Sequence, residues 1–154
     1  MNKIKIVRAR YEHIRPIASA MRQADRDEVF ASGGQSPAGA LVYSLRHSSY
    51  AWTGFVDGKP VMMFGIVDAN ILTGTGVPWL LGTAAIETNY REFLKTSRGF
   101  RDQLLSRYSV LRNFVDVRNV VSVRWLTWLG FKLLDRVEMN GHEFRLFELR
   151  AEDV

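Results

Sequence analysis

The stretch Asn119–Lys132, NVVSVRWLTWLGFK, comes one residue after the apolar alternation NFVDV. A period of two marks a half-buried strand, and the residues that follow change to a helical period. The Asn119 side chain can accept from the first unpaired N–H groups of a helix, so it is placed as the N-cap of a helix beginning at Val120. Gly130 ends that helix in the left-handed conformation and Phe131 anchors the next strand. Val121, Trp125, Trp128 and Leu129 fall on one broad apolar face, so both tryptophans are expected to lock the helix onto a sheet.

Upstream, KIKIVRAR alternates Ile4 and Ile6 with basic residues and predicts a first strand. Ile14, Ile17, Ala18 and Met21 predict one helix that starts near Pro16, carries Asp25 to Glu28 as an exposed charged end, and stops near ASGGQSP. Ser36 and Pro37 cap and open a second helix through Leu45. Asp57-Gly58 between YAWTGFV and KPVMMFGIVDA, and Asn140-Gly141 between two later runs, predict tight hairpins. GVPWLLGTAA reads as a buried strand after the loop TGTG, and Asn89 to Tyr108 as a helix. On that helix Phe93, Phe100, Leu104 and Tyr108 share one face, and Arg91, Lys95 and Arg98, extended by Arg101, form a basic one. The resulting order is β, α, α, β, β, β, α, β, α, β, β.

A chain of 154 residues suits one domain, 1–154, with 47% apolar and 24% charged residues in the range of an ordinary globular protein. Runs such as PVMMFGIV fall far short of the roughly 18 residues of a membrane span, and MNKIKIVRAR lacks the apolar core of a signal peptide. No cysteine is present, which excludes disulfides, thiolate metal sites and cysteine nucleophiles. His13, His47 and His142 are far apart and lack carboxylates at ligand spacing, so no metal is expected. Serine-hydrolase elbows and Walker loops are likewise absent. The net charge of +5 favours anionic partners and, taken alone, suggests nucleic acid only weakly.

Together with the element order, the signature N..S..WL..LGF resembles the GNAT acetyltransferase fold, in which an Asn at the end of the fifth strand precedes a helix of the form A..LY..LGF. Asn119, Ser122, Trp125, Leu129, Gly130 and Phe131 carry the match. The segments ADRDEV, GVPWLLGT, LRNFVDVRN and VRWLTWLGF are similar to GNAT-like proteins of short-tailed (podovirus-type) phages, some of them internal virion proteins. The resemblance implies an α/β (α+β) fold: a central mixed, mostly antiparallel sheet of about seven strands flanked by about four helices.

It also implies acetyl-CoA as cofactor, with Leu81 and Gly82 supplying backbone contact to the thioester carbonyl and Asn119 completing the site. The family's glycine-rich phosphate turn has its nearest counterpart in SRGFRD, through Arg98 and Gly99, but a second glycine is missing and AAIETNYREFLK intervenes after the strand. Leu126 stands where active members carry a tyrosine acid, so Tyr108, Tyr90 or a water would have to substitute. Glu87, Asp68 and Asp116 are candidate bases near strand ends. Two functions follow as expectations. One is a phage protein of the virion or its assembly, with other virion proteins as partners and a degenerate cofactor site. The other is an acetyltransferase acting on a protein amine. The corresponding locations are the virion, the host cytoplasm, or both.

Overall fold

The computed structural model describes residues 3–154, so the first two positions of the expected domain lie outside it. Strand β1 (Ile4–Arg8) is followed by helices α1 (Ile14–Ser19), α2 (Gln23–Gly33) and α3 (Pro37–His47), then strands β2 (Tyr50–Val56), β3 (Lys59–Asn70) and β4 (Thr75–Gly82). Helices α4 (Ala85–Thr88) and α5 (Tyr90–Leu105) lead to β5 (Val110–Asp116), α6 (Val120–Trp128), β6 (Lys132–Met139) and β7 (His142–Arg150). The seven strands form one sheet in the order β1-β2-β3-β4-β5-β7-β6. Every neighbouring pair is antiparallel except β4 with β5. The expected mixed, mostly antiparallel sheet of about seven strands is what the chain forms.

Local chemistry accounts for much of this. Asp57 and Gly58 have φ of 50° and 81°, and Asn140 and Gly141 have 48° and 80°, the paired left-handed residues that a two-residue hairpin turn requires. The Ser36 side chain accepts from the Gly39 N–H at 3.1 Å with Pro37 opening α3. The Asn119 side chain accepts from the Ser122 N–H at 3.4 Å, and Gly130, at φ 99°, follows the end of α6.

The parallel pair is where the sheet opens. Strands β4 and β5 pair only through Thr75 with Val110 and Gly76 with Leu111, then separate. Pro78 sits just beyond, without the N–H that a further rung would need. One face of the sheet carries α5 and α6 over a core that includes Phe93, Leu104, Leu111, Trp125 and Phe147. The other carries α1 and α3 over Met63 and Leu81.

Three expectations change. The single helix predicted after β1 is two, because Met21 forms a β-bridge with Thr83 and the Arg22 N–H donates to the Gly82 carbonyl at 2.9 Å, so the chain is extended at Arg22 between α1 and α2. That break, and the added turn of α4, raise the helix count from about four to six among the described residues. Trp128 is 41% exposed with the Arg98 guanidinium 4.4 Å over its ring, whereas Trp125 is buried. A helix so short presents only one of the two indoles to the sheet. Asp25 is fully buried instead of forming part of an exposed charged end.

The two tryptophans therefore predict opposite outcomes. Trp125 donates from Nε1 to Ser97 Oγ at 2.9 Å and meets the Tyr90 ring edge-on at 5.5 Å. Trp125→Ala is expected to lower stability by about 3–5 kcal/mol in urea unfolding. Trp128→Ala, which loses an exposed contact to Arg98, is expected to cost under about 1 kcal/mol in the same measurement.

Candidate functional site

Separation of β4 from β5 leaves a cleft of about 540 Å³, walled mostly by apolar side chains such as Leu80, Phe93, Phe114, Trp125 and Leu126. An opened sheet exposes peptide groups along both rims, and each needs a partner. On the β4 rim, Pro78 offers no donor and its carbonyl accepts from Asn113 Nδ2 at 2.8 Å. The same Asn113 accepts at Oδ1 from the Phe114 N–H of the β5 rim at 2.7 Å. The Gly82 N–H donates to Asp25 Oδ2 at 3.0 Å, and the Asp116 N–H donates to Glu28 Oε1 at 2.8 Å. Peptide orientation alternates along a strand, so Leu80, between Pro78 and Gly82, presents its N–H and C=O to the cleft.

Helix α2 thus reaches both rims with two carboxylates one turn apart, and a buried network holds it there. Arg22 donates to Asp25 from Nη2 at 2.8 Å and Nε at 3.3 Å, to Asn119 Oδ1 at 3.1 Å and to Ser122 Oγ at 3.4 Å. Its Nη1 also reaches Glu87 Oε1 at 3.4 Å. Asn119 Nδ2 donates to Asp25 Oδ1 at 3.0 Å. Burial works against the Arg22 charge, yet its bonds to Asp25 and Glu87 outweigh burial and raise its pKa. Glu28 is the opposite case: burial, added to the nearby charges of Asp25 and Asp116, pushes its carboxyl up to about 8. For Asp116 burial also acts upward, but the Arg118 side chain and N–H bind it and bring it below the ordinary carboxylate range.

Of the site residues expected from sequence, Gly82 and Asn119 meet through Asp25, Glu87 joins them through Arg22, and Asp116 joins α2 through Glu28. Leu81 has the opposite peptide orientation to Gly82, and its side chain belongs to the core on the α1 and α3 face. Arg98 and Gly99 lie in the second half of the 16-residue α5, so helix stands where a phosphate turn was expected, and the Gly99 N–H belongs to the helical ladder. Tyr108 donates to Asp68 beside the paired end of β4 and β5, and burial followed by that bond raises it to about 12. Leu126 lines the cleft, with no hydroxyl to offer.

Sequence reasoning missed Arg22, Asp25 and Glu28 as an inward-facing group. A signal existed in their spacing: three charged residues recur every third position on a helix whose apolar residues, alanines aside, are only Val29 and Phe30. A helix without an apolar stripe packs through its polar side or not at all. Among the described residues no cluster of three or more His, Cys, Asp or Glu side chains is placed to hold a metal, and no helix is long and apolar enough to cross a membrane.

Solved structures match this arrangement over almost the whole chain. A GNAT-family acetyltransferase from Streptococcus pneumoniae superposes with a TM-score of 0.68 at 14% identity, over 96% of this chain and 99% of its own. The fold is that of the GNAT acetyltransferases. The ribosomal-protein-S5-alanine acetyltransferase of Vibrio fischeri gives 0.68 at 12% identity, over 99% and 98% of the two chains. The protein yncA from Salmonella typhimurium, described as an acetyltransferase and solved with its cofactor acetyl-CoA, gives 0.69 at 11% identity, over 98% and 95%. Residues 73–136, from the β3–β4 turn into β6, match the family model described as "Bacteriophage T7, probable scaffold protein Gp13". No curated protein matches the sequence.

The Glu28 carboxyl sets a pH dependence. It stays protonated in the fold up to about pH 8 and ionises from about 4.5 in the unfolded chain, so between these values the unfolded chain binds fewer protons. Its contribution to stability is fully present below pH 4.5 and is lost as the pH rises through 8. In Glu28→Gln, whose amide oxygen can still accept from Asp116, urea unfolding is expected to lack that decline. The loss removed is roughly 5 kcal/mol across the window.

Proposed function

We propose that this chain is a phage-encoded protein of the virion or of its assembly, internal or at the head–tail junction, in which the GNAT fold is retained as a binding scaffold and its acetyl-CoA groove is degenerate. The observation that carries this reading is the double capture of the cleft by α2, with Asp25 on the Gly82 N–H and Glu28 on the Asp116 N–H. Gly82 is where the fold would present backbone to a thioester carbonyl, and that donor is committed to a buried carboxylate. The other parts fit the cofactor no better. Arg98 and Gly99 sit inside a helix, and a leucine lines the cleft where an acid would stand. The match of residues 73–136 to the phage scaffold-protein model supports the assembly role. In this reading the protein resides in the virion, in the host cytoplasm during assembly, or in both, with other virion proteins as partners.

A second reading, an acetyl-CoA-dependent N-acetyltransferase acting on a protein amine, is favoured by the 540 Å³ cleft, by the open Leu80 peptide, and by acetyl-CoA in the Salmonella relative. Calorimetric titration with acetyl-CoA separates the two. The scaffold reading expects no heat of binding at millimolar ligand, and expects the protein in purified phage particles by mass spectrometry. Micromolar binding of acetyl-CoA, together with absence from particles and normal assembly after gene deletion, would establish the enzyme instead.

A further inference from the structure

The outer surface of α5 and α6 carries a two-row array of cations that the cleft does not use. Arg91, Lys95 and Arg98 are exposed and stand one turn apart on α5. Helix α6 lies alongside in the same sense, with Trp125 at Ser97, Trp128 at Arg98 and the Leu129 carbonyl at Arg101. Arg124, one turn before Trp128, therefore falls beside Lys95 and extends the array to a second row. Among the described residues none of these four cations is in an ion pair. Of the acids on the same helix, Glu92 falls by the helical period on the flank away from Ser97 and Arg101, which meet α6, and Asp102 is bound by Arg101 at 2.8 Å.

We infer that this strip binds the phosphate backbone of nucleic acid. Arg91 to Arg98 spans roughly 10 Å at the helical rise of 1.5 Å per residue. That is the length of about three nucleotide steps at 3.4 Å per strand. Three of the four cations are arginines, whose planar forks suit phosphate oxygens, and Arg98 is already held over the Trp128 indole. The same features disfavour other anionic partners. A membrane-surface helix turns its apolar residues outward, whereas Phe93 and Leu104 of α5 face the core. A protein interface is anchored by a buried apolar centre, and the α5 row has none.

The test is fluorescence anisotropy with labelled single-stranded and duplex DNA of mixed sequence, titrated with salt. Binding is expected with log K falling against log salt at a slope of about −3, as for four phosphate contacts. The triple variant Arg91→Gln, Lys95→Gln, Arg124→Gln should weaken binding more than about tenfold and flatten the slope to about −1, with unchanged melting. A control triple at the far sheet edge, Lys5→Gln, Arg8→Gln, Lys59→Gln, should change affinity by less than about threefold. Equal loss in both triples, or no DNA binding at low salt, would overturn the proposal. So would labelled poly-glutamate or phosphatidylserine vesicles that bind as tightly as DNA at equal charge and lose binding in the first triple, because the strip would then belong to an acidic protein or a membrane.

Discussion

The Asp25 carboxylate is the interaction on which the arrangement of the cleft depends. Its two oxygens accept from four donors: the Gly82 N–H, two nitrogens of Arg22, and the Asn119 amide. Those donors come from β4, from the start of α2 and from the junction of β5 with α6. One buried anion therefore ties together three elements that are far apart in sequence. Desolvating a carboxylate and a guanidinium costs several kcal/mol per ion, and only a fully bonded set offsets it. Every polar atom is satisfied here, since no buried side-chain nitrogen or oxygen among the described residues lacks a partner. Hydrogen bonds are directional where apolar contacts are not, so this set fixes both where α2 lies and how it is rotated.

The need for such a device follows from the sheet itself. Once β4 and β5 part after two rungs, both strands become edges in the middle of the protein, and unpaired peptide groups there carry a desolvation cost. Proline at position 78 removes one of those groups, Asn113 bridges two, and the α2 carboxylates take two more. The charge within the cluster balances on the same logic. Arg22 answers Asp25, Arg118 answers Asp116, and Glu28, beside two anions and without a cation of its own, stays protonated up to about pH 8.

What the sequence made legible was local. The Asp57-Gly58 and Asn140-Gly141 turns, the Ser36 and Asn119 caps and the stop at Gly130 all rest on chemistry within four residues, and each stands where its motif placed it. The break between α1 and α2 has its cause some sixty positions away, in the end of β4 that captures Met21 and Arg22, and no local signal carries that. Asp25 and Glu28 read as solvated charges because their partners are backbone N–H groups, which have no signature in a sequence. Trp125 and Trp128 were indistinguishable on one apolar stripe until Arg98 supplied Trp128 with a partner on the solvent side. The candidate site was legible in its framework, Gly82 and Asn119, and hidden in the side chains that fill it.

A fold transmits geometry more faithfully than chemistry, and identities of 14% and below to the solved acetyltransferases leave room for the site to have been rewritten. The buried cluster on α2 has a further electrostatic consequence. Asp25 and Asp116 are buried and each is paired with an arginine, Arg22 and Arg118, while Glu28 is held neutral and so carries none of the negative charge that the formal count assigns to it. The charge presented to solvent is accordingly more positive than the formal +5. The chemistry that closes the cleft from the α2 side thus also sharpens the basic character of the outer surface, where α5 and α6 collect their unpaired cations. Capping the cleft rims from α2 and exposing a cationic face are two results of one distribution of charge.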